Sequence, residues 1–86
     1  VRWFRLAAEQ GNAMAQNNLG LMFNNGRGVP QNIVSAYVWW SVSAAQGHQS
    51  ARGNRDEILE DLTPAERARA QDLVTKCFES DFKDCP

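Results

Sequence analysis

Leu19-Gly20-Leu21-Met22-Phe23-Asn24-Asn25-Gly26-Arg27-Gly28-Val29-Pro30-Gln31-Asn32 reads as the end of one helix, a glycine-proline turn and the cap of the next. Asn24-Asn25-Gly26 supplies a left-handed residue able to close a helix, and Gly28 adds a second flexible point. Pro30 holds Val29 extended and keeps the preceding helix from resuming. Asn32 is placed as the N-cap of the next helix, because its short amide accepts from the free N–H groups of a first turn. Upstream, Ala15, Leu19, Met22 and Phe23 share one face at helical spacing, which predicts a helix from about Ala13 to Asn24. Its opposite face carries Ala13, Asn17, Leu21 and Asn24. Gly20, in mid-helix, costs roughly 1 kcal/mol against Ala, so close approach of a neighbouring helix is the expected reason for it. Downstream, Val34, Ala36, Tyr37, Val38, Trp39, Trp40, Val42 and Ala44 make a helix from about Ile33 to Gln46 apolar nearly all round, as a helix packed on several sides must be. Gly47 stops it.

Outward from this joint the pattern continues. Trp3, Phe4, Ala7 and Ala8 predict a helix from about Val1 to Gln10, ended by Gly11. It starts on an aromatic face with nothing before it to cover the rings, which reads as the second half of a truncated repeat. Toward the C-terminus, Ala51, Arg55, Ile58 and Leu62 form one row of a helix from about Gln49 to Asp61. Thr63-Pro64-Ala65-Glu66 then carries a strong start signal: Thr63 caps, Pro64 suits the first helical position, and Glu66 reaches back to the Thr63 amide. The last helix, to about Phe78, turns Ala70, Leu73, Val74 and Cys77 inward and Arg67, Arg69, Asp72 and Lys76 outward. A polar outer face is what the last helix of a solenoid needs.

Shifted by 36 positions, the sequence matches itself: Trp3 meets Trp39, Ala8 meets Ala44, Gln10 meets Gln46, Gly11 meets Gly47, Ala15 meets Ala51 and Asn18 meets Asn54. Phe4 against Trp40 and Leu6 against Val42 are conservative pairs. A period in this range belongs to helix-turn-helix solenoids, in which each unit leaves an apolar face that only a neighbour covers.

Leu19, Gly20, Phe23, Gly26, Gly28 and Val29, then Ala36, Trp39, Trp40, Ser43, Ala44 and Gly47, closely resemble the pattern of the Sel1-like repeat family, relatives of the tetratricopeptide repeats. Trp3, Phe4, Ala7, Ala8 and Gly11 repeat the second half of that pattern. The match runs from Val1 to about Ala51, with Phe23 and Phe4 in place of the usual Tyr and Ser43 in place of Ala. Past Asn54 it lapses: Asp56 stands where Gly20 stands, and Thr63-Pro64 opens a helix where a long turn is due. The resemblance implies an all-α, right-handed α-α superhelix of about five helices. It divides the chain into a half repeat at 1–12, one complete repeat at 13–48 and a degenerate C-terminal cap at 49–86. It also implies protein-protein contact through an adaptor scaffold, with the first helix of each unit lining a concave surface.

Eighty-six residues bury too little surface to be comfortable alone, so staples or neighbouring repeats are expected. The net charge of −1 gives no long-range attraction to nucleic acid or anionic membrane. Charge is unevenly placed. Residues 1–51 hold only Arg2, Arg5, Glu9 and Arg27, and use amides instead: Asn12, Gln16, Asn17, Asn18, Asn24, Asn25, Gln31 and Asn32. Two readings of these amides stand, a recognition surface for backbone polar groups or plain solvated surface. No stretch approaches the roughly 18 apolar residues of a membrane-spanning helix. The sequence opens at Val1, which reads as a processed or trimmed product.

Cys77 and Cys85 are the chain's two cysteines. On one continuous helix they would lie roughly 12 Å apart, beyond the reach of a bridge. If Ser80-Asp81 ends the helix and the tail folds back, they meet, and a bridge would place the chain in the periplasm or outside the cell. Two free structural thiols, which would suit the cytoplasm, and a redox or metal role are the alternatives.

Gly26-Arg27-Gly28 lacks the Lys-Ser/Thr ending and preceding strand of a phosphate loop, and reads as a turn. His48, the sole histidine, stands where Asn12 stands one unit earlier, so a turn or cap role is expected, and no metal set forms around it. Asp56, Glu57, Glu60 and Asp61, beside Arg52 and Arg55, read as a solvated ion-pair face. Trp3, Phe4, Phe23, Tyr37, Trp39 and Trp40 read as inter-helix packing in preference to a ligand-stacking box.

The chain thus reads as a non-catalytic protein-interaction module with no cofactor and no metal. Met14, Asn17, Leu21 and Asn24 are the residues expected to line the partner groove, against the rival that they pack on upstream repeats. The partner is a protein or peptide, and self-association through the uncovered N-terminal face is a further expectation. Two alternatives are an extracytoplasmic cell-wall or β-lactam-related binder or enzyme, which would need a nucleophile with a base, and a purely structural end cap of a longer solenoid.

Overall fold

A computed structural model describes residues 2–86, and among them every regular element is helical: α1 Arg2–Glu9, α2 Ala13–Asn25, α3 Ile33–Ala45, α4 Gln49–Leu59 and α5 Pro64–Glu79. The expected helices lie in the expected places, with ends shifted by one or two residues; Val1 lies outside the described residues. The fold is an all-α helical solenoid. α3 is its spine, packing against α2, α4 and α5, while α1 packs on α2.

Each junction is closed by local chemistry that the sequence carries. Asn12, Asn32, His48 and Thr63 cap α2, α3, α4 and α5, each accepting through its side chain from the backbone N–H three residues on. The Thr63–Glu66 capping box is complete, with Thr63 N–H donating to Glu66 Oε1 at 2.8 Å and Glu66 N–H to Thr63 Oγ1 at 3.1 Å. A cap of this kind contributes about 1 kcal/mol. Gly26 ends α2 in the left-handed region (φ 67°), and the Asn32 N–H returns to Phe23 O at 2.9 Å, folding the turn beneath the helix end. Gly11 and Gly47, matched positions of the repeat, both have φ 91°. The period therefore repeats backbone geometry as well as residue type.

α3 is buried on most sides because three helices surround it, which accounts for its lack of an amphipathic stripe. Polar bonds stitch it to α2: Trp40 Nε1–H donates to Asn17 O (3.1 Å), Ser43 Oγ–H to Ala13 O (2.6 Å), and Gln46 Nε2–H to Gln16 Oε1 (2.6 Å). Gln16, fully buried, also donates to Ala8 O at 3.0 Å, so one amide ties α1, α2 and α3 together. Gly20 has the reason its position demanded: a Cβ there would clash with the Trp40 indole.

Cys77 and Cys85 are joined by a disulfide, with Cα atoms 4.7 Å apart. Asp81 and Phe82, both at positive φ, turn the chain back after α5, and the Asp84 N–H donates to Ser80 Oγ at 2.7 Å. The tail then reaches α1. Lys83 Nζ donates to Glu9 O at 2.7 Å, Arg5 Nη2 to Pro86 O at 2.6 Å, and the Phe82 ring lies beside Gly11.

Candidate functional site

α2 and α4 are the first helices of successive units, and a cleft opens beside each. The first, about 520 Å³, is lined by Phe4, Asn18, Leu21, Met22, Asn25, Arg27 and Gly28. The second, about 210 Å³, is lined by Leu21, Asn24, Trp40, Asn54, Glu57, Ile58 and Asp61. The two are one site built twice: Phe4, Asn18, Leu21, Met22 and Asn25 stand 36 residues before Trp40, Asn54, Glu57, Ile58 and Asp61. The second is the smaller and is bordered in addition by Leu21 and Asn24 of α2, the first by Arg27 and Gly28 of the turn.

The four residues expected to line the groove are unequally placed. Met14 (65% exposed) and Leu21 (37%) stand open, and Asn24 is half-buried at the second cleft. Asn17 is only 8% exposed: its side-chain Oδ1 accepts from Asn54 Nδ2 at 3.2 Å, and its carbonyl accepts from Trp40. Asn17 therefore fixes the spacing of α2 and α4 beneath the groove and is not presented on it. Helical geometry gives the reason, since Met14, Asn18, Leu21 and Asn25 fall within about 60° of one another while Asn17 and Asn24 rotate toward α4.

Several amides that allowed a surface reading are structural. Asn12 and Asn32 are caps, Gln16 and Asn17 are internal, and Gln31 Nε2 donates to Asn24 O at 2.8 Å within the turn. The acidic face also divides. Asp56 pairs with Arg55 at 3.0 Å, as a solvated face should, but Glu57 and Asp61 border the cleft. Reading α4 by itself hid this; setting it 36 residues after α2 aligns Glu57 with Leu21 and Asp61 with Asn25.

The aromatic residues behave mainly as packing. Trp39, Trp40 and Phe23 are buried, and Phe4 and Tyr37 are partly so. Trp3 differs: it is 84% exposed where its repeat partner Trp39 is 0%, and Leu6 is 48% exposed where Val42 is 0%. Equal positions in the two units thus measure how much surface a preceding unit would cover.

His48 Nδ1 accepts from the Ala51 N–H at 3.3 Å, and Ser43 Oγ–H is engaged with Ala13 O. Among the described residues no group of three or more His, Cys, Asp or Glu side chains is placed to hold a metal ion. No helix there is long and apolar enough to cross a membrane.

The sequence matches the family model described as Sel1 repeat over residues 1–12 and 13–48. It is also similar to the alginate biosynthesis protein AlgK of Azotobacter vinelandii, 32% identical over 68 residues, covering 79% of this chain and 15% of the relative. A second AlgK, from Pseudomonas aeruginosa, is 37% identical over 69 residues, covering 80% of this chain and 14% of the relative. The chain therefore spans about a seventh of the length of these relatives.

Proposed function

The chain belongs to the Sel1 repeat family, and on that premise we propose that it acts by binding a protein or peptide partner along the concave side of α2 and α4. That family is one of protein-interaction modules. The observation that carries the reading is the cleft built twice at the repeat period, with a retained floor: Asn18 and Asn54, Met22 and Ile58, Phe4 and Trp40. A surface that recurs along a rigid spine suits an extended ligand. Leu21 and Asn24 make the contact, Asn17 positions them, and Met14 lies outside both clefts, on the neighbouring face with Trp3. The role is that of an adaptor or scaffold, performed without covalent chemistry. Residues 1–12, 13–48 and 49–86 serve as half repeat, complete repeat and cap. The Cys77–Cys85 bridge supports the periplasm or the exterior.

Leu21→Ala tests the site. Leu21 is exposed and its truncation leaves the helix and the buried core in place, so circular dichroism should be unchanged while affinity for the native partner falls about tenfold, as at an interface hot spot. Unaltered partner affinity in the folded variant refutes the groove.

The face around Trp3, Leu6 and Met14 is a second contact surface, fitted to another helical unit. Sedimentation of the 86-residue chain should show concentration-dependent association that Trp3→Glu abolishes. A strictly monomeric chain at high concentration would overturn this.

A further inference from the structure

We propose that the cleft between α2 and α4 receives a single lysine or arginine side chain from an extended segment of the partner. This rests on the groove reading and adds the partner's chemistry to it. Of the five paired positions, Asn18 and Asn54 are identical, Phe4/Trp40 and Met22/Ile58 stay apolar, and two turn from uncharged to acidic: Leu21 becomes Glu57 and Asn25 becomes Asp61. Two carboxylates thus enter a cleft whose remaining lining is Leu21, Asn24, Trp40, Asn54 and Ile58, with no cation among them. The basic residues of α4 are elsewhere. Arg55 is held by Asp56 at 3.0 Å, and Arg52 lies about 140° around the helix from Glu57 and further from Asp61. Arg27, the basic residue at the first cleft, does not line the second.

Size narrows the occupant further. At about 210 Å³ the cleft falls below the roughly 300 Å³ at which pockets for small organic ligands begin. It has room for one long side chain. A lysine or arginine suits such a site in both halves. Its methylene stem lies on Leu21, Trp40 and Ile58, while its charged head reaches Glu57 and Asp61 at the rim. Asn24 and Asn54 offer amides to the backbone of an extended segment. Asn54 is itself steadied by its bond to Asn17. The first cleft, with Leu21 and Asn25 at the equivalent places and Arg27 beside them, disfavours a cation, so successive units read different residues of one segment.

Three peptides of nine residues on one apolar, extended frame, carrying two Lys, two Gln or two Glu, test this by fluorescence anisotropy against the full chain. The Lys peptide is expected to bind most tightly and to weaken as salt rises. Glu57→Gln and Asp61→Asn should each weaken it about two- to fivefold, with little effect on the Gln peptide. If the Gln or Glu peptide binds as tightly as the Lys peptide, and Leu21→Ala weakens that binding, the cationic preference is overturned while the groove stands. If the Lys peptide binds Glu57→Gln and Asp61→Asn as it binds the parent, the assignment of these carboxylates falls. If none of the three binds, the groove reading falls with it.

Discussion

Gly20→Ala is expected to destabilise the chain by a net amount of about 2 kcal/mol, although the same change in a free helix stabilises by roughly 1 kcal/mol. The sign is decided by what the new methyl meets. It would clash with the Nε1 edge of the Trp40 ring, and that ring cannot retreat: Trp40 is buried, and its Nε1–H is bonded to Asn17 O. Overpacking against a fixed aromatic costs about 3 kcal/mol at the upper end of its usual range, which outweighs the gain in propensity. For a domain of this size the melting temperature should fall by roughly 8–16 °C. Gly53→Ala is the control, because Gly53 is also helical but has open space at its Cβ position. There the propensity acts alone, and the variant should gain up to about 1 kcal/mol. Combining Gly20→Ala with Trp40→Phe should cost less than the sum of the two single changes, since the smaller ring releases the methyl. A Gly20→Ala protein that melts at or above the parent temperature would show that the α2–α3 approach is loose enough to admit a methyl.

That close approach also shows why the fold could be read from sequence so fully. A mid-helix glycine, a Trp pair and two stop glycines recurring at 36 residues are local signals with long-range causes, and the caps at Asn32 and Thr63 marked where α3 and α5 begin. The surface was less legible because helical facing tolerates little angular error. Asn17 lies about 60° from Met14 on the helical wheel, and that rotation carries its amide out of the groove and onto Asn54. Glu57 and Asp61 were obscured for another reason. Within α4 they resemble any charged face, and only alignment with Leu21 and Asn25 reveals that they border a cleft. The tail carried the weakest signal of all. Cysteine spacing allowed a bridge, but nothing in the sequence indicated that Phe82, Lys83 and Pro86 would reach back to α1.

Removing that bridge should have the larger effect. Cys85→Ser is expected to cost about 2.5 kcal/mol, the loop entropy of a ring this short, and to lower the melting temperature by roughly 10–20 °C. The tail has little else to hold it. Asp81 and Phe82 sit at positive φ, each at a cost on the order of 1 kcal/mol. Ordering each residue costs roughly another 1–2 kcal/mol. Against this stand the Lys83 bond to Glu9 O, the Arg5 bond to Pro86 O and the half-buried Phe82 ring, too few to offset those costs without the covalent tie. Release should be felt unevenly. α1 packs on α2 and is otherwise clasped by this tail, with Arg5 lying over the Trp39 ring at 5.9 Å. α3 keeps its packing against three helices. Hydrogen exchange should therefore accelerate in Arg2–Glu9 far more than in Ile33–Ala45. Reductant should reproduce both effects in the parent and do nothing to Cys85→Ser. If the parent, unfolded without reductant, titrates two free thiols, the bridge is absent in solution and the extracytoplasmic assignment loses its main support. If the bridge is present but its removal leaves α1 protected, the tail is an appendage and not a clasp.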